Sequence, residues 1–92
     1  MTEERANKIY DILVNIGGAN ETMRDQFIFS HCKDMYICQE WRFMGKLGYG
    51  GKYRGQYNTV DCYREDETKE QLKLIKKINK ELEKIKWTEK IK

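Results

Sequence analysis

The sequence predicts a small α+β domain over residues 1–92: N-terminal helices in 1–33, a three-stranded antiparallel β-meander with a Gly-rich hairpin in 34–64, and a long C-terminal helix in 66–92. Three observations predict it. Apolar residues recur every three or four positions in the first third, alternate with polar residues in the middle, and return to helical spacing at the end. A charged fraction of 36% would suit a disordered chain, but two Trp, six Tyr and three Phe within a 39% hydrophobic fraction require a core or a ligand. A chain of 92 residues buries roughly 60–65% of its surface on folding, enough for one thin core. That leaves no material for a deep shielded cleft and points away from a self-contained enzyme.

The first helix opens at Thr2, a capping residue. Glu3 and Glu4 suit the positive end of the helix dipole, and Ala6, Ile9, Leu13 and Ile16 form a stripe that Tyr10 and Ile12 widen. Gly17-Gly18 supplies the left-handed stop, and Asn20 caps a shorter helix through Met23, Phe27 and Ile28. The run Phe27-Ile28-Phe29 is also compatible with a strand.

From Asp34 the period becomes two: Met35, Ile37, Trp41 and Phe43 alternate with Tyr36, Cys38, Glu40 and Arg42, and Gln39 interrupts the apolar face. Gly48-Tyr49-Gly50-Gly51 reads as a turn, because successive glycines adopt positive φ cheaply. The chain returns through Lys52-Tyr53-Arg54, and a second turn at Gly55-Gln56-Tyr57-Asn58 leads into Thr59-Val60-Asp61-Cys62-Tyr63. With no proline to blunt the sheet edges, a helix or a second subunit should cover them.

The last helix is capped by Asp66 or by Thr68, which forms a capping-box pattern with Gln71. Leu72, Ile75, Ile78, Leu82 and Ile85 make one narrow seam, which lies on the sheet or pairs with its counterpart in a homodimer or higher homo-oligomer. Trp87, off that seam, hints at a further contact.

No apolar signal region follows the N-terminus and no run reaches the ~18–20 apolar residues of a membrane span, so a cytoplasmic location without a membrane partner is expected. Cys32, Cys38 and Cys62 are an odd number, which suits free structural thiols in a reducing compartment. With His31 they could supply four zinc ligands, but the close Cys pairing of structural zinc sites is missing, so no metal or other cofactor is expected. His31 is the only histidine and cannot pair with adjacent Cys32 on a regular element. Glu40, Asp61 and Glu65 are better read as ion-pair partners of nearby arginines than as a catalytic carboxylate group. No catalytic residues are therefore assigned.

Charge is segregated: residues 1–40 carry four basic and seven acidic side chains, 41–65 five and two, and 66–92 nine and six. The stretch Trp41 to Tyr57 holds five of the seven glycines, five aromatics, four basic residues and no acid. Glycine turns let backbone N–H groups approach an anion, Lys46, Lys52 and Arg54 supply charge for phosphate, and aromatic rings with Arg can stack a base. The candidate ligand-binding set is Trp41, Arg42, Lys46, Tyr49, Lys52, Tyr53 and Arg54. The competing reading makes these aromatics the sheet's core and the cations its soluble edge. A Walker loop ending at Gly51-Lys52 fails, because Lys46 and Tyr53 stand where glycine and a hydroxyl residue are required. A dinucleotide fingerprint starting at Gly48 fails at Tyr53 too, so any phosphate binding is non-hydrolytic.

The segment Glu40 to Lys52, with Asp61 to Thr68 before the last helix, resembles small accessory proteins of bacteriophages and related mobile elements. The resemblance implies a protein that acts by binding in the host bacterial cytoplasm. It would sequester a phosphorylated, nucleotide-derived immune signal, or inhibit a host defence enzyme in an anti-CRISPR-like manner. It carries no functional residues across. Two classes of function follow: a binder of a phosphorylated nucleotide, or of single-stranded nucleic acid, through the hairpin; and a protein-interaction module whose aromatics anchor an interface with a host protein.

Overall fold

A computed structural model describes residues 2–32, 40–46, 48–62 and 68–85. It is an α+β domain in chain order α1 (Glu3–Asn15), a short 3-10 turn (Glu21–Met23), α2 (Arg24–Cys32), β1 (Trp41–Gly45), β2 (Gly48–Arg54), β3 (Thr59–Cys62) and α3 (Lys69–Glu83). Among the described residues no helix is long and apolar enough to cross a membrane.

Local chemistry explains the helix starts. The Thr2 hydroxyl accepts from the Arg5 backbone N–H at 3.2 Å, and Asn20 Oδ1 accepts from Thr22 N–H at 3.0 Å. At α3 both halves of the capping box are present, Thr68 bonding the Gln71 backbone and Gln71 bonding the Thr68 backbone. The α1 chain stops where Gly18 takes φ +71°, a conformation open to glycine. The 27–29 run is helical: Phe27 is buried and Phe29 exposed, a difference in facing that follows from helical rotation.

The sheet order is β1-β2-β3, antiparallel throughout. Trp41 pairs with Tyr53, Arg42 with Lys52 and Phe43 with Gly51, and an irregularity follows between Phe43 and Gly45. In the second ladder Tyr53 pairs with Val60 and Lys52 with Asp61. Gly48 to Gly51 are therefore strand residues of β2 and not a turn. Paired with β1, and at Gly51 also with β3, this segment gains ladder hydrogen bonds that outweigh the local flexibility of its glycines. The expected strand start at Asp34, with Met35 and Ile37, lies outside the described residues, as do Cys38, Tyr63, Asp66 and Trp87.

The core joins Ile9, Tyr10 and Leu13 of α1, Phe27 of α2, Phe43, Tyr53 and Val60 of the sheet, and Ile78 and Leu82 of α3. The α3 seam corrects the expected one at its first position. Leu72 is exposed and Leu74, two residues on, packs against the core, because the sheet lies on the side to which helix rotation turns residue 74. The loop after α1 lies directly on the end of β1. Lys46 N–H donates to the Gly17 carbonyl at 2.6 Å, and a Cβ at Gly45 would overlap that same carbonyl oxygen. Arg24 fastens the α1–α2 pair, bonding Glu21, Asp11 and Asn7 while its guanidinium lies 5.3 Å from the Tyr10 ring centroid.

Two asparagines attach α3 to the sheet. Asn79 Oδ1 accepts from Val60 N–H at 2.7 Å, and its Nδ2 donates to the Val60 carbonyl at 3.1 Å. Both backbone groups of Val60 thus point away from β2, and the Asn79 amide stands where a fourth strand would pair. Asn58, at φ 53° in the β2–β3 turn, accepts from the Tyr53 hydroxyl and donates to the Leu82 carbonyl. Replacing Asn79 by Ala strands an N–H and a C=O at once, and Asn79→Ala is expected to lose about 2–3 kcal/mol of unfolding free energy in urea titration. A loss under about 0.5 kcal/mol would show that water replaces the amide without penalty.

Candidate functional site

Strand alternation divides the predicted site between the two faces of the sheet. Trp41, Phe43, Tyr53 and Val60 turn toward the helices, whereas Glu40, Arg42, Met44, Lys52, Arg54 and Asp61 occupy the opposite positions of the pleat. Trp41 and Tyr53 are therefore not brought together with the cations of the expected ligand site.

Tyr53 is 0% exposed and its hydroxyl is bonded to Asn58, so it is a core residue and not a stacking platform. Trp41 is half-buried, meeting Phe27 edge-on at 5.7 Å between centroids and His31 at 6.1 Å. Its role too is inward, for the same pleat reason. Tyr49 belongs to β2, and its side chain lies outside the described residues. The glycine nest expected at Gly48–Gly51 is replaced by ladder backbone, so these residues provide no turn that aims N–H groups at an anion.

The cations are gathered by the ladder. Arg42 lies directly opposite Lys52, and Lys52 opposite Asp61, in one row across the three strands. Glu40 reaches both Arg42, at 3.9 Å, and Lys52, at 3.6 Å. Arg54, next on the same face of β2, pairs with Asp61 at 3.0 Å. The acids that sequence reasoning read as ion-pair partners take that part at Glu40 and Asp61; Glu65 lies outside the described residues. Arg42 is 61% exposed, whereas Lys52, at 17%, has its stem covered and keeps its ammonium at Glu40. Lys46 is exposed beyond β1, its stem crossing Gly18. Tyr57, absent from the expected ligand set, is 63% exposed in the β2–β3 turn three residues after Arg54. Its place in a Gly-Gln-Tyr-Asn turn was the available signal, since turn residues face solvent.

Cys32 and Cys62 are half-buried and form no disulfide among the described residues, and no group of three or more His, Cys, Asp or Glu among these residues could hold a metal ion. His31 is buried behind the sheet, where Nδ1 contacts the Phe27 carbonyl at 2.9 Å. A carbonyl only accepts, so Nδ1 carries the proton. Nε2, like Trp41 Nε1, is buried with no hydrogen-bond partner among the described residues.

Compared with known protein families, curated proteins and solved structures, the chain matches none.

Burial lowers the His31 pKa from its ordinary value, and the hydrogen bond to Phe27 only partly opposes this. A lowered folded-state pKa means that the unfolded chain takes up a proton the fold resists. The stability contributed by neutral His31 is present above the unfolded value of about 6.5 and is lost as pH falls through the folded value. Unfolding free energy is expected to decline as pH falls through and below the ordinary histidine value of about 6.5, with His31→Phe flattening that decline in pH-resolved urea titrations. An unchanged slope in the variant would place the titration elsewhere.

Proposed function

We propose that the protein is a non-enzymatic binding module that captures a phosphate-bearing nucleotide on the outward face of its sheet. Arg42 and Lys52 meet the phosphate, Arg54 adds charge from the next position, and Tyr57 offers an exposed ring at the same end as Arg54. The supporting observation is the placement of Arg42 directly opposite Lys52. Like charges across a ladder oppose sheet formation, and a shared Glu40 carboxylate offsets this at distances beyond a short charge-assisted hydrogen bond. A phosphate with two or more negative oxygens competes for the pair by offering each cation a shorter bond.

The inhibitor reading draws on the exposed apolar side chains, of which Met44 and Tyr57 flank the sheet. They lie at opposite ends of β2, roughly 20 Å apart at the rise of a strand. Phe29 sits on α2 and Leu72 on α3. This scatter among the described residues favours a charge-led ligand over a contiguous protein interface. The phage-type role as a sink for a nucleotide-derived immune signal is the biological form of the same proposal.

Calorimetric titration with linear and cyclic nucleotides and ADP-ribose should show heat with at least one phosphorylated species and none with the parent nucleosides. The double variant Arg42→Ala/Lys52→Ala is expected to weaken that binding by about tenfold or more, consistent with loss of charge-assisted bonds, while keeping a cooperative thermal transition. Absence of heat across the panel, or binding that survives the double variant, sinks the assignment.

A further inference from the structure

Helix α3 presents a second cationic surface, distinct from the outward face of the sheet. Its buried side is set by Ile78 and Leu82, and Asn79 is turned onto Val60. At about 100° per residue, Lys69, Lys73, Lys76, Lys77, Lys80 and Lys84 fall within one sector roughly 100° wide on the side opposite Ile78 and Leu82. All six are exposed. Glu70 and Glu81 border the sector on one side and Glu83 on the other, and Lys84 reaches over that border to Glu81 at 2.9 Å. Lys73 has Lys69, Lys76 and Lys77 as helical neighbours against the single acid Glu70, and Lys80 has Lys76, Lys77 and Lys84 against the single acid Glu83. Like-charge neighbours at these spacings weaken a helix by about 0.2–0.5 kcal/mol each, whereas a face meant only for solubility gains by placing Glu and Lys alternately. The capping box and the core contacts hold the helix against that repulsion.

We infer that this stripe docks on the phosphate backbone of a nucleic-acid duplex, independently of sequence. The stripe is a straight rod about 22 Å long, and a duplex offers one negative charge per roughly 1.7 Å of axis. Lysine ammonium groups on flexible stems meet phosphates as point charges and read no base edges. Single strands are less suited, because the stripe has no aromatic ring on which bases could stack. An anionic membrane is less suited as well: an interfacial helix inserts its apolar face, and in α3 that face is already buried against the sheet and α1.

The test is fluorescence anisotropy of the whole chain with labelled DNA and RNA duplexes of about 20 base pairs, over a salt series. Binding to either duplex is expected, and the stronger arm identifies the kind of duplex. Engaging about four lysines predicts a slope of log K against log salt of about −3.6 for a DNA duplex. Lys73→Gln/Lys76→Gln/Lys80→Gln should flatten that slope by about 2.7 and weaken low-salt binding at least tenfold, with the circular dichroism spectrum and thermal midpoint retained. Arg42→Ala/Lys52→Ala, which removes the sheet-face cations, should leave duplex binding within about twofold, so the two sites fail separately. No binding at about 50 mM salt, an unchanged slope in the lysine variant, or binding to phosphatidylserine vesicles but not to duplexes overturns the inference.

Discussion

Phe27 is the point at which the pieces of this small chain meet. Its ring lies 5.1 Å from Tyr10 of α1, 4.2 Å from His31 one helical turn along α2, 5.7 Å from Trp41 of β1 and 5.6 Å from Tyr53 of β2. Each aromatic buries far more surface than an aliphatic residue, and tilted or edge-on pairs add about 0.5–1.5 kcal/mol beyond burial. A thin core depends on this concentration. It fixes α1, α2 and the first two strands against one another, and α3 is then added by Ile78, Leu82 and the two asparagine attachments at Asn58 and Asn79.

This use of the aromatics shapes what the surface can do. Because Trp41 and Tyr53 are taken up inward, alternation along β1 and β2 sends Arg42, Lys52 and Arg54 outward as a group. A shift of one residue in register would invert the arrangement, burying the cations and exposing the rings, so core packing and the outward charge row enforce each other. What this face presents is charge held in a defined row, with the exposed Tyr57 ring in the turn after β2. The α3 stripe arises in the same way: once one side of the helix belongs to the core, the lysines have only solvent or a polyanion to meet.

Much of the architecture is legible in the residues. Thr2, Asn20 and the Thr68–Gln71 box act over three or four positions, and the helical and two-residue periods report which face of each element is apolar, so fold class and helix starts follow directly. The ligand set was less legible, because a list of neighbouring residues does not say which face of a pleated strand each one occupies until the register is known. Tyr53 and Trp41 were drawn into the predicted site by their nearness in sequence to Lys52 and Arg42, the nearness that in a strand places them on the other face.

Local pattern by itself determined the α+β class, the helix caps and the concentration of glycine, aromatic and basic residues between Trp41 and Tyr57. Tertiary structure alone decided that Gly48–Gly51 is strand, that Leu74 and not Leu72 faces the core, and that Asn79 closes the β3 edge at Val60. The division has one physical cause. Caps and periodicities are satisfied by partners within a turn of chain, whereas a glycine run, a choice between two leucines on one helix and a side-chain amide paired with a distant backbone depend on which surface arrives opposite them.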